Sequence, residues 1–213
     1  MLNKKIVLFL FVLSICYRSV ADVTASGDTI TVQGKLLNED ADKLVAAMNE
    51  GAIKTVIFKN SAGGEWRAGM RIGSFLLGKN ITTVVEGVCA SSCALAFLGG
   101  DNRIFSKNGP APILFFHVPY SPSDSKTLEI YKQPFFSWIE SRTNQKINQK
   151  FVDAINASVS IRGGIFFFSP TDPIVLSSGG ITQICKGNEL RIPLDCEKTE
   201  EISAISMGIV NAD

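Results

Sequence analysis

The chain has 213 residues, with 21 Lys and Arg against 20 Asp and Glu, for a formal net charge of +1. It is 46% hydrophobic and 19% charged, and it contains no internal repeat or low-complexity tract. The length suffices for one domain with a sizeable core, and the near-neutral balance excludes a basic stripe for nucleic acid.

The first element is an export signal. Lys4 and Lys5 form a positive head, residues 6–15 are apolar apart from Ser14, and Ser19-Val20-Ala21 places small residues where a signal peptidase cuts. Residues 1–21 are therefore expected to be removed after Ala21. The apolar stretch is too short to span a bilayer as an anchor. Leu13-Ser14-Ile15-Cys16 hints at lipid attachment, but Ile15 is larger than the residue usual before a modified Cys. Cleavage removes Lys4, Lys5 and Arg18 but no acid, so the formal charge falls from +1 to −2 over the 192 residues that remain. A single α/β domain over 22–213, periplasmic or secreted, is the expectation.

Residues 28–36 alternate apolar and polar, which predicts a strand. Asn38 is placed to cap a helix carrying Leu44, Val45 and Met48, ended by Gly51. Residues 53–59 predict a second strand, and Asn60-Ser61-Ala62-Gly63-Gly64 a tight loop. Residues 65–77 predict a helix, and 81–86 a third strand. A turn at Gly87 leads to an apolar helix over 91–98, followed by short strands at 103–105 and 113–118. This β-α-β-α-β-α order implies a mostly parallel sheet with right-handed crossovers. Residues 121–160 are expected to form a helical excursion kinked at Pro134. The chain then returns through a phenylalanine-rich strand, and the tail from Glu197 gives little signal.

With Cys16 removed, four cysteines remain, an even number in an exported chain, which favours disulfides. The expected pairs are Cys89–Cys93 and Cys185–Cys196, the second closing a polar loop over 185–196. His117 is the only histidine and the cysteine spacings match no zinc pattern, so neither a metal site nor a cofactor is expected.

Three features fall at predicted strand ends, where open α/β sheets place their ligands. Gly63-Gly64 allows backbone N–H groups to approach a substrate carbonyl. Ser91-Ser92 opens a helix, where a serine is held exposed and the next N–H can stabilise a developing oxyanion. His117 is a residue type that can take a serine proton and return it to a leaving group. Taken singly these are more often a turn, an N-cap and a packed histidine; their joint order is what points to chemistry.

Asn60-Ser61-Ala62-Gly63-Gly64, then Gly87-Val88-Cys89-Ala90-Ser91-Ser92-Cys93-Ala94, then Phe115-Phe116-His117 resemble the proteolytic subunit of Clp protease, within the Clp/crotonase superfamily. The likeness is nearer still to exported bacterial relatives with a Cys-x-Ser-x-Cys elbow, and it spans residues 30–181. It implies a repeated β-β-α spiral fold and a serine hydrolase acting on a peptide or protein substrate. Ser91 would be nucleophile, His117 general base, and the N–H groups of Gly64 and Ser92 the oxyanion hole. Asp172 is the best-placed third member, with Asp153 as runner-up. Ala62 stands where that family has Pro, and Ser92 where it has Met, so the hydroxyl of Ser92 is a second candidate nucleophile. Other readings are a binding protein that has lost catalysis, a crotonase-like acyl-thioester enzyme, and a serine–lysine dyad using Lys59 or Lys107. Relatives assemble into rings or trimers, which leaves a homo-oligomer open. No ATP-driven unfoldase is expected as partner.

Overall fold

A hairpin opens the sheet. Strand β1 (Asp22–Ser26) turns at Gly27, whose φ of 61° suits a residue without a Cβ, and returns antiparallel as β2 (Thr29–Gln33). The computed structural model describes residues 21–121, 123, 128–170 and 181–212. Helix α1 (Asn38–Glu50) packs Ala41 and Leu44 inward. Its start differs from expectation. Asn38 is the first helical residue, and the buried Asp40 carboxylate reaches back 2.7 Å to accept the Leu37 N–H.

The centre of the sheet is parallel. Strand β3 (Thr55–Ser61) lies between β2 and β4 (Thr82–Ala90), parallel to both, and helix α2 (Trp66–Leu76) crosses between β3 and β4. The first half of β4 pairs with β5 (Asn102–Phe105) and its second half with β6 (Ile113–Phe116), both parallel. Gly87 was expected to end this strand. Instead β4 runs through it, with φ at 70°, and a Cβ there would collide with Asn60 Oδ1. The strand thus changes partners at a residue only glycine can fill, and its last residues reach the elbow. Helix α3 (Ser92–Phe97) follows at once and is buried throughout.

Past β6 the excursion is broken. A 3-10 turn (Glu129–Tyr131) leads into α4 (Lys132–Arg142), and α5 (Gln149–Asn156) follows separately. The break lies at Asn144 and Gln145, both at positive φ. Pro134 does not kink a long helix; it sits in the first turn of α4, where a missing N–H costs nothing. Strands β7 (Gly164–Phe168), β8 (Thr182–Cys185) and β9 (Glu197–Lys198) complete the sheet antiparallel. The described strands run in the order β1-β2-β3-β4-β6-β7-β8-β9, with β5 beside β4. This is a mixed α/β fold with a parallel centre.

The tail was expected to carry little signal, yet Ile202, Met207, Ile209 and Val210 are core residues. Arg103 holds them in place. Its buried guanidinium donates to the carbonyls of Gly100, Arg142, Gly208 and Ile209, all at 2.7–2.9 Å. Both predicted cysteine pairs are joined, with Cα separations of 5.3 Å for Cys89–Cys93 and 4.8 Å for Cys185–Cys196.

Candidate functional site

The parallel ladder between β4 and β6 carries the two central residues to the same edge. Ala90 lies opposite Phe115, and the Ser91 N–H donates 2.9 Å to the Phe115 carbonyl. Ser91 and His117 therefore emerge from neighbouring strands, a spacing of about 4.8 Å between backbones. Both line a cleft of about 490 Å³, together with Gly64 and Ser92.

Ser91 sits at φ 56° and ψ −125°, a conformation that L-residues rarely adopt. Three connections hold it there. The Phe115 carbonyl takes its N–H, the Leu95 N–H donates to its carbonyl at 3.3 Å, and the Cys89–Cys93 bond spans it. Ser92 differs from it: only 2% of its surface is exposed, and its Oγ is buried without a hydrogen-bond partner. The Ser92 N–H, first in α3, has no acceptor within its own helix.

The Gly-Gly loop is fixed by a bridge to the segment before α1. Leu36 N–H donates to the Gly63 carbonyl at 3.0 Å, and Glu65 N–H to the Leu36 carbonyl at 2.9 Å. Backbone groups of successive extended residues point to opposite edges, so the Gly64 N–H faces away from Leu36.

His117 is buried against aromatic rings, with Phe115 at 5.2 Å and Tyr120 at 5.5 Å between centroids. Phe115 is in turn stacked on its cross-strand partner Phe166 at 4.0 Å. The phenylalanine-rich strand β7 thus braces the wall behind the imidazole. His117 Nδ1 lies 2.9 Å from the Val118 carbonyl. A carbonyl oxygen can only accept, so Nδ1 carries the proton and Nε2 keeps a free lone pair. Burial lowers the pKa of the ring, partly opposed by that hydrogen bond, so it favours the neutral form.

Among the described residues no carboxylate bonds to His117. Asp153 is exposed on α5 and accepts from Gln149 at 2.8 Å, and it does not line the cleft. Asp172 lies outside the described residues. Lys59 is paired with Glu86, and neither it nor Lys107 lines the cleft. The cleft has members that the sequence did not assign to a site: Lys35, Trp66, Arg67, Tyr120, Tyr131, and Asn38, which it marked only as a helix cap. Trp66 directly follows Gly-Gly-Glu and packs 5.7 Å from Tyr131. Its place beside the loop was a usable signal; Tyr131 had none, because it arrives from the excursion.

No family model matches the chain, and no curated protein matches it. Among solved structures it is similar to a ClpP1 mutant from Listeria monocytogenes, at 22% identity and a TM-score of 0.41, over 55% of this chain and 73% of that one. It is also similar to the ClpP protease catalytic domain from Plasmodium falciparum, at 20% identity and a TM-score of 0.43, over 55% of this chain and 67% of that one.

Proposed function

We propose that the chain is an exported serine hydrolase that cleaves peptide bonds. The observation that carries this reading is one cleft lined by a serine on a strained strand-to-helix elbow and by a buried, neutral histidine. Ser91 Oγ attacks the scissile carbonyl and passes its proton to His117 Nε2. The negative charge that develops on the carbonyl oxygen is met by the N–H groups of Gly64 and Ser92. The tetrahedral intermediate then collapses, and His117 returns the proton to the leaving amine. Water repeats the sequence on the acyl-enzyme. Nδ1 stays on the Val118 carbonyl throughout, which holds the tautomer that the base needs.

The burial of Ser92 Oγ supports Ser91 over Ser92 as the nucleophile. Export rests on the N-terminal pattern of a positive head, an apolar stretch and Ser19-Val20-Ala21. One observation favours a second reading, a binding protein on the same fold: among the described residues His117 bonds to the Val118 carbonyl and to no carboxylate. Turnover of fluorogenic peptides separates the two. The hydrolase reading expects cleavage that Ser91→Ala reduces at least a hundredfold; well-folded wild-type protein that cleaves none supports the binding reading.

A further inference from the structure

The cleft has a charge character that catalysis alone does not require. Two cations, Lys35 and Arg67, line it, against one carboxylate, Glu65. Glu65 Oε2 accepts the Asn38 backbone N–H at 3.0 Å, so that oxygen is already engaged by the protein. Lys35 and Arg67 are exposed, and neither forms an ion pair with any carboxylate among the described residues. Arg71, one turn further along α2, shows the contrast: Asp42 holds it at 2.5 Å. Burial of His117 disfavours its charged form.

We infer that the cleft selects peptides carrying an acidic side chain near the bond to be cut, with Lys35 and Arg67 as the specificity-determining residues. This rests on the cleft being the peptide site proposed above. The two cations attract a carboxylate at the rim, while Trp66, Tyr120 and Tyr131 offer apolar surface to the rest of the peptide. Each exposed pair adds only a fewfold in affinity, so the pair together amounts to about five- to tenfold, weakening with salt.

The test measures binding apart from turnover. Full-length Ser91→Ala protein is titrated by fluorescence polarisation with matched peptides that carry Glu, Gln or Lys at each position in turn. At one or more positions the Glu peptide is expected to bind about five- to tenfold tighter than its Gln match, with Lys weakest. Lys35→Gln combined with Arg67→Gln should erase that difference, Arg71→Gln should leave it, and high salt should shrink it. Equal binding of Glu and Gln peptides at every position overturns the inference, as does a preference that survives the double substitution or an absence of peptide binding. If the preference is present but wild-type protein cleaves none of the peptides, hydrolysis fails while the recognition stands.

Discussion

Gly63 and Ser91 meet backbone to side chain: a Cβ built on Gly63 would lie 2.7 Å from Ser91 Cβ and would also strike the Ala90 carbonyl. Gly63 also holds φ 84°, which disfavours any L-residue. The loop and the elbow can approach this closely only because position 63 has no side chain. Gly63→Ala is expected to destabilise the fold by about 2–4 kcal/mol, from strain plus overpacking, and to displace the elbow. Chemical denaturation and the labelling rate of Ser91 check this; a variant with wild-type values for both contradicts it.

The two disulfides should separate stability from chemistry. Cys185 and Cys196 are 11 residues apart, and their closed loop is worth about 3 kcal/mol, whereas the four-residue separation of Cys89 and Cys93 is worth about 2 kcal/mol. Cys185→Ala with Cys196→Ala is expected to lower the melting temperature and leave Ser91 reactivity per folded molecule intact. Cys89→Ala with Cys93→Ala is expected to cost less stability and to slow Ser91 labelling more than tenfold, because it frees the strained elbow. Equal effects of both pairs on labelling contradict this.

The pH dependence follows from the burial of His117. A general base must be neutral, and desolvation lowers its pKa below the ordinary value of about 6.5. Activity should therefore persist as pH falls through ~6.5 and decline only in more acidic solution. The same shift makes the unfolded chain bind this proton first. The stability linked to His117 is thus complete above the unfolded value and is lost as pH falls through the folded value. His117 is the only histidine, so its ring protons give one assignable NMR titration. A midpoint at or above ~6.5 contradicts the buried, neutral base.

Arg103 ties the C-terminal segment to the sheet. Burial, together with the neighbouring Arg142, pushes its pKa down to about 10, still well above neutrality, so it remains charged and keeps its four carbonyl partners. Arg103→Met is expected to cost about 3–5 kcal/mol by leaving buried carbonyls unpaired. Amide exchange should rise first around Met207 and Val210; uniform exchange across the sheet argues against a local latch.

The parts of the fold legible in sequence were those set by local patterns. Alternation marked β2, β-branched residues the central strand β4, Gly63-Gly64 the loop, and the short cysteine spacings both pairs. His117 could be placed at a strand end because 113–118 is a short apolar run closed by Pro119. Part of what stayed hidden depended on partners distant in the chain, and part on backbone conformation and carbonyl partners that residue type does not mark. Gly87 reads as a turn until β4 is seen to exchange β5 for β6 at that residue. The amphipathic run over 126–158 reads as one helix, since Asn144 and Gln145 break it by adopting positive φ, which residue type only weakly signals. The tail looks unpatterned because its anchor, Arg103, is about a hundred residues away in sequence. The Val118 carbonyl as partner of His117 was invisible because every residue has a carbonyl.

The most direct measurement is reaction of the full-length protein with a fluorophosphonate, followed by peptide mapping of the modified residue. The account predicts a single adduct on Ser91, lost in Ser91→Ala, largely retained in Ser92→Ala because any residue but Pro keeps that N–H, and slowed strongly in His117→Ala. An adduct on Ser92, labelling that survives His117→Ala at full rate, or no labelling of well-folded protein would contradict it.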